Sequence, residues 1–221
     1  MTPEDFDTQV ARVAALGEPV RRSLYRFVVG QPDAVSRDQA AAGAGVAHHV
    51  AKFHLDKLES DGLLDVEYRR PPGRGGPGAG RPTKLYRRAA RDVAVSLPER
   101  RYDLASRIMV EAIAAAQSGG TPVTEALGSA ARAFGTALGE RATDLDEVLA
   151  EIGYEPRADD AGVTLANCPF GGLAQTHTEL VCGMNLGLID GVLTGLRSTV
   201  DRRRARLAPA PGRCCVVVTE A

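Results

Sequence analysis

The sequence predicts an α+β fold, in which a helical N-terminal part precedes a smaller part of mixed helices and strands. Apolar residues recur at helical spacing over roughly the first 62 residues, as Val20, Leu24, Phe27 and Val28 illustrate. Two short β-like runs then flank a segment dominated by glycine and proline. The chain closes with the β-branched run CCVVVTEA, which predicts a C-terminal strand.

Charge is distributed unevenly along the 221 residues, although the formal net charge is only −1. Residues 69–91 contain eight arginines or lysines and no acidic residue, whereas residues 140–160 contain eight acidic residues and two arginines. A hydrophobic content of 44% is sufficient for more than one core. The basic segment is therefore the candidate surface for nucleic acid.

A helix-turn-helix pattern precedes the basic segment. Ser36 is a suitable cap for a short helix over residues 36–42, Gly43 and Gly45 supply a turn, and a second helix is expected over 46–60. At 100° per residue, the inward face of the second helix is apolar. The outward face carries His49, Lys52, Phe53, Asp56 and Ser60.

The runs LLDVEYRR and TKLYRRA flank the loop PPGRGGPGAGRP, and this order predicts a β-hairpin. A flexible linker with incidental arginines is the alternative. The position of the loop between two β-like runs, directly after a helix-turn-helix, favours the hairpin. Arg74 and Arg81 on this loop have the reach to enter a minor groove or to pair with phosphates.

The segment VAKFHLDKLESDGLL followed by GRPTKLYRR resembles the winged-helix regulators of the ArsR-like superfamily, over roughly residues 15–90. The resemblance implies a winged helix-turn-helix DNA-binding domain at 1–91, with residues 46–60 as the recognition helix on a double-stranded DNA operator. The helical wheel places His48, His49 and Lys52 near the end that enters the major groove. Candidate DNA-binding residues are therefore His48, His49, Lys52, Arg74, Arg81 and Lys84. His54 lies at the edge of the inward face and is expected to pack.

Residues 92–140 are alanine-rich and are expected to form a helical connector that is also a candidate dimerisation region. A homodimer is expected mainly because operators with two-fold symmetry favour proteins with two-fold symmetry. An internal packing role for these helices in the C-terminal domain is the alternative. Residues 141–221 are expected to form a small α+β domain with a largely antiparallel sheet and with helices near 144–152, 172–181 and 185–197.

All four cysteines, Cys168, Cys182, Cys214 and Cys215, lie in this last domain. The run ANCPFGGLAQTHTELVCGMNLGLIDGVL with the distal PGRCCVVV is similar to the C-terminal half of the iron–sulfur-sensing repressors that control Suf cluster-assembly operons. That family joins such a domain to a winged helix in the same order. The resemblance implies a two-iron or four-iron cluster held by Cys168, Cys182 and one of Cys214 and Cys215.

The residues by themselves leave the role of the cysteines open, because their spacing matches no ferredoxin or zinc pattern and inert buried cysteines are the alternative. One straight helix would separate Cys168 from Cys182 by about 18 Å, so a shared site requires the chain to fold back near Pro169 and Gly171. His177 is a candidate fourth ligand or a surface residue. Adjacent residues on a strand face opposite ways, which predicts that only one of the paired cysteines binds.

The combined prediction is a cytoplasmic repressor without enzymatic activity, controlled by an iron–sulfur cluster. The alternatives are a zinc or thiol redox switch, a regulator with a small-ligand pocket, and an enzyme with Cys182 as nucleophile and His177 as base. The enzyme lacks a recognisable oxyanion or orienting motif. No basic N-terminal region precedes an apolar run, and no stretch reaches the roughly 18 apolar residues of a membrane helix, so no membrane association is expected.

Overall fold

A computed structural model describes residues 3–70, 82–159, 161–196 and 203–220. The chain divides into two compact units, Thr2–Val95 and Ser96–Ala221. From Ser96 onward, the region expected to be a connector belongs to the second unit. Within the described ranges, no helix has both the length and the apolar character required to cross a membrane.

The first unit contains four helices and a three-stranded antiparallel sheet among its described residues. In chain order the elements are α1 (Pro3–Ala15), α2 (Pro19–Val29), β1 (Val35–Ser36), α3 (Arg37–Ala44), α4 (His48–Ser60), β2 (Leu64–Arg69) and β3 (Thr83–Arg88). The strands follow the order β1-β3-β2, and Val66 of β2 lies opposite Tyr86 of β3. Leu24, Leu55 and Leu58 are fully buried with Tyr86, so the helices and the hairpin share one core.

Local sequence signals produce the predicted helix-turn-helix. The Ser36 hydroxyl accepts a hydrogen bond from the amide of Gln39, whose side chain accepts one from the amide of Ser36, so both ends of this capping box are formed. Gly45 ends α3 with φ +66°, a conformation that favours glycine. A Cβ atom at Gly43 would lie 1.9 Å from the Phe27 ring, so any side chain there would have to displace that ring from the α2–α3 contact.

The second unit is also α+β. Its described elements are α5 (Tyr102–Gly119), α6 (Val123–Gly139), α7 (Leu145–Glu151), β4 (Pro156–Asp159), β5 (Gly162–Leu165), α8 (Gly171–Ala174), α9 (Thr178–Gly195), β6 (Arg203–Leu207) and β7 (Val216–Glu220). All described strand pairs are antiparallel, in the order β4-β5-β7-β6. This arrangement confirms the predicted fold class.

Three details of the second unit differ from the sequence prediction. Residues expected to form helices at 172–181 and 185–197 instead form the single turn α8 and the long helix α9. Strand β6, with the sequence RRARL, was not predicted because arginines interrupt its apolar pattern. The C-terminal strand begins only at Val216, so Cys214 and Cys215 precede it.

Helices α6 and α9 touch through their backbones. A Cβ atom at Gly135 of α6 would lie 2.0 Å from the carbonyl oxygen of Leu188, and one at Gly191 of α9 would lie 2.2 Å from the carbonyl oxygen of Arg132. Arg132 also forms an ion pair with Asp190 across the two helices. The glycines therefore set the distance between the helices, because any side chain would have to displace backbone atoms.

Replacing Gly191 with alanine should destabilise the second unit by about 1–3 kcal/mol, since the new methyl group overpacks a backbone contact. Gly183→Ala on the same helix is the matched control, because no atom lies within 4 Å of the position that its methyl group would occupy. Higher helix propensity should leave this control unchanged or up to about 1 kcal/mol more stable. Urea unfolding of both variants checks the prediction, and equal stability of the two would contradict the close contact.

Candidate functional site

The outer face of α4 presents an exposed group of residues at its N-terminal half. His48, His49, Lys52 and Phe53 are all exposed. His48 Nε2 lies 3.1 Å from Asp38 Oδ1 of α3, and Lys52 Nζ lies 3.5 Å from Asp56 Oδ2 one turn away. The structure thus brings the three predicted residues of this helix to one surface, although His48 is directed towards α3.

His54 differs from its neighbours in being packed. Its side chain is only 12% exposed, and its Nδ1 lies 3.5 Å from a carboxylate oxygen of Glu18. The same nitrogen accepts a hydrogen bond of 3.5 Å from Nε of Arg21. The expectation that His54 packs rather than faces outward is confirmed.

Lys84, a predicted DNA contact, forms ion pairs within the first unit. Its side chain is 22% exposed, its Nζ lies 3.2 Å from Asp56 Oδ1, and it forms a second ion pair with Glu59. The Tyr86 hydroxyl donates to the same Asp56 oxygen at 3.1 Å. Partial burial acts to raise the pKa of Asp56, but the hydrogen bonds from Lys84 and Tyr86 outweigh it and lower that pKa. Lys84 therefore ties β3 to α4.

The loop arginines Arg74 and Arg81 lie outside the described residues. Three other basic side chains of this segment are exposed: Arg69 and Arg70 lie beside the loop, and Arg87 lies near the opposite end of β3. Arg69 is paired with Glu67 at 2.6 Å. The positive charge of the basic segment is thus exposed at least on the strands.

A second group of functional side chains lies in the second unit, where all four cysteines converge. Cys168 follows β5, Cys182 lies in the first half of α9, and Cys214 and Cys215 precede β7. The Cys214 side chain interacts with those of Cys168 and Cys215, and the Cys215 side chain interacts with that of Cys182. No disulfide joins them, and Cys182 and Cys214 are buried. Three separate segments of the chain therefore deliver their sulfur atoms to one place, which we call the thiol cluster.

The four thiols do not share one electrostatic environment. Interaction with Cys168 and then with Cys215 lowers the pKa of Cys214, despite its burial. Interaction with Cys214, together with burial, raises the pKa of Cys168. The same two causes raise the pKa of Cys215. Within the thiol cluster, Cys214 is therefore the preferred position for negative charge.

The chain between Cys168 and Cys182 does not form one straight helix. The amide of Gly171 donates to the carbonyl oxygen of Cys168 at 3.0 Å, which closes a tight turn. The single turn α8 ends at Ala174, and α9 begins at Thr178 after His177, whose backbone is not helical. This path replaces the straight helix that would have kept the two cysteines apart.

The expectation that Cys214 and Cys215 face opposite ways was wrong in its premise, because Cys215 lies in a bend and neither residue is in the strand. Both sulfurs consequently reach the thiol cluster. His177 is exposed at the N-terminal cap of α9, and the described residues show no hydrogen bond from its side chain to a cysteine. Among the described residues, no group of three or more histidine, cysteine, aspartate or glutamate side chains is arranged to hold a metal ion as it stands.

Asn185 is a polar partner of the thiols that the sequence analysis did not identify. Its side chain is fully buried, and its Nδ2 donates to Cys214 Sγ at 3.0 Å and points towards Cys168 Sγ at 4.0 Å. The amide oxygen of Asn185 accepts a hydrogen bond from the buried hydroxyl of Tyr154. An asparagine three residues after a cysteine in the otherwise apolar run VCGMNLGLI was the available signal.

Arg100 and Asn167 fix the backbone that carries Cys168. Arg100 Nη1 donates to Asn167 Oδ1 at 2.6 Å and to the carbonyl oxygen of Cys168 at 2.8 Å. Asn167 Nδ2 in turn donates to the carbonyl oxygens of Glu99 and Gly153 at 2.9 and 2.7 Å. On the other side, the Cys214 amide donates to the carbonyl oxygen of Leu165 at 2.8 Å. The segments that carry Cys168 and Cys214 are thus held through hydrogen bonds to their backbone groups, independently of their sulfur atoms.

An open groove of about 670 Å³ lies between α5 and α6 and is lined mainly by small and apolar side chains. Ala115 of α5 and Ala130, Ala133 and Phe134 of α6 form much of it. Beyond it, Val110 and Ile113 are exposed on α5. This is the apolar surface of the region expected to serve in dimerisation, while the buried side of α6 packs within the second unit against α9.

Comparison with known proteins adds one finding. Residues 16–67 match the family model described as a helix-turn-helix domain. Searches against curated proteins and against solved structures found no match. The matched range extends from before α2 into β2 and contains both α3 and α4. The match supports a DNA-binding transcriptional regulator with an N-terminal helix-turn-helix domain.

Proposed function

We propose that this protein is a homodimeric repressor whose operator affinity depends on an iron–sulfur cluster bound in its second unit. The convergence of four cysteines from three segments carries the proposal. The proposed ligands are Cys168, Cys182, Cys214 and Cys215. His177 is left out of this set because its side chain is exposed and, among the described residues, forms no hydrogen bond to a cysteine. The likeness of this half to iron–sulfur-sensing repressors of cluster-assembly operons points to the same class of ligand.

The donor set fits such a cluster in its chemistry. Thiolates are the usual ligands of iron–sulfur clusters, and N–H groups near the sulfur atoms tune the properties of the cluster. Asn185 supplies such an N–H group, aimed at Cys214. The side chains of Cys168 and Cys215 both interact with that of Cys214, so three of the proposed ligands lie near one another. The backbone anchors of Cys168 and Cys214 would hold the two ends of the site.

When bound, the cluster would supply a group whose presence and charge change with oxidation or iron supply. The chain itself would convert that change into altered packing. Cys182 and Asn185 both lie on α9, which contacts α6 through backbone atoms. Movement of the sulfur atoms would therefore disturb the packing of α9 against α6. In the first unit, the outer face of α4 would bind the operator and block transcription.

Replacing Cys168, Cys182 or Cys214 with serine should abolish the visible absorption of anaerobically purified protein, because serine removes a thiolate ligand. We expect Cys215→Ser to lose the cluster as well, since its sulfur also reaches the thiol cluster. His177→Ala is the matched control and should keep the absorption, iron and acid-labile sulfide of the wild type. Retention of the cluster in Cys168→Ser or Cys182→Ser would contradict the ligand set.

The regulatory part of the proposal is tested by measuring operator affinity before and after removal of the cluster with a chelator. Coupling between sites is typically about 1–3 kcal/mol, so we expect the affinity to change by roughly 5- to 150-fold. The same treatment of Cys168→Ser protein should change nothing. A colourless wild type that contains stoichiometric zinc would instead establish a zinc-based switch on the same cysteines.

Lys52 and Lys84 should contribute differently to DNA binding, although both are lysines near the recognition helix. Lys52→Gln should lower affinity and reduce the slope of log affinity against log salt by about 1, as expected for a lost phosphate contact. Lys84→Gln should lower affinity roughly tenfold without changing that slope, because it breaks the charged hydrogen bonds that tie β3 to α4. Fluorescence anisotropy over a salt series measures both quantities. A reduced slope in Lys84→Gln would mean that Lys84 contacts phosphate directly.

A further inference from the structure

Phe53 is the most prominent apolar side chain on the outer face of α4. Its side chain is 66% exposed, and it lies near the middle of the helix. At 3.6 residues per turn, Phe53 is roughly 160° around the helix from Ala51 and from Leu55, which are both fully buried. It therefore points directly away from the core of the first unit.

Exposure by itself assigns nothing to Phe53, since single apolar residues are common on protein surfaces. Its position is more informative. His49 precedes Phe53 by about one turn on the same face of α4, and Lys52 is its neighbour in sequence. The ring therefore lies among the residues predicted to contact DNA. The neighbouring His54 ring meets it edge-on with 5.2 Å between centroids, which supports one side of the phenyl ring.

The chemistry of the major groove limits what a phenyl ring can recognise there. Base edges in this groove present hydrogen-bond donors and acceptors, and the C5-methyl group of thymine is the apolar feature. Phenylalanine offers no hydrogen bond, so its favourable contact on a base edge is with that methyl group. Phe53 is also roughly 7.5 Å along the axis from the first residue of α4, within the N-terminal part that helix-turn-helix proteins direct at bases.

We infer that Phe53 is a specificity-determining residue that reads a thymine methyl group in each half-site of the operator. This inference rests on the DNA-binding part of the proposed function and is independent of the iron–sulfur cluster. It adds a direct base contact to the polar contacts expected from His49 and Lys52. Phe53 would favour thymine over cytosine at one position, where charged and polar neighbours set the register.

The test begins with selection of binding sites from a random double-stranded DNA library by the full-length wild-type protein. Each thymine of the selected site is then replaced in turn by deoxyuridine, which keeps every hydrogen-bonding group and lacks only the methyl group. Anisotropy titrations at fixed salt compare wild type, Phe53→Ala and Phe53→Leu. Because Phe53 is exposed, the variants should fold, and circular dichroism checks that they do.

We expect each half-site to contain one thymine whose single replacement by deoxyuridine weakens wild-type binding about fourfold, the factor for one buried methyl group at about 0.8 kcal/mol. Phe53→Ala should bind the unmodified site at least as weakly as the wild type binds the deoxyuridine-substituted site. The affinity of Phe53→Ala should not change when that thymine is replaced by deoxyuridine. Phe53→Leu should keep part of the sensitivity.

Several outcomes would overturn the inference while leaving DNA binding intact. These are wild-type affinity in Phe53→Ala, no effect of deoxyuridine at any half-site position, or selected half-sites without thymine. Loss of dimerisation in Phe53→Ala with unchanged sensitivity to deoxyuridine would assign the ring to a protein contact instead. Failure of the wild type to select any site would remove the DNA-binding proposal itself, and the inference with it.

Discussion

The backbone contact between α6 and α9 is the constraint on which the second unit depends. Gly135 and Gly191 allow the two helices to approach until a carbonyl oxygen of one occupies the place of a side chain on the other. Helix α9 carries Cys182 and also Asn185, whose side-chain amide donates to Cys214. The same contact therefore fixes the positions of both residues. The packing of α6 against α9 and the placement of two residues of the site thus depend on one interaction.

The helix-turn-helix could be predicted closely because its signals are local. Ser36 with Gln39 and the left-handed Gly45 specify the ends of α3 without help from distant residues. The thiol cluster could be predicted only in part. The fold-back after Cys168 follows from chain length and helix geometry, whereas the joint approach of Cys214 and Cys215 depends on where β7 begins. That boundary is set by pairing with β5 and β6, which a single run of sequence does not encode.

Helix α9 shows why some element boundaries were missed. Gly183 follows Cys182 and suggests a break in the helix. Gly183 is exposed and makes no packing contact, so its only cost to the helix is the low helix propensity of glycine. The three later glycines of the same helix contact α6, so tertiary packing outweighs their low helix propensity. Lys84 is a parallel case in the first unit. Its charge suggested a DNA contact, but only the three-dimensional structure brings Asp56 and Glu59 to its ammonium group.

The thiol cluster is also part of how the core satisfies its buried polar groups. Asn185 is fully buried, its amide oxygen is used by Tyr154, and its amide N–H group is directed at sulfur. An unsatisfied buried donor costs about 1–3 kcal/mol, so the sulfur of Cys214 stabilises the fold as an acceptor besides any role as a ligand. Any change that takes electron density from this sulfur, whether oxidation or binding, weakens the hydrogen bond from Asn185. Because Asn185 sits on α9, the core of the second unit is sensitive to the chemical state of Cys214.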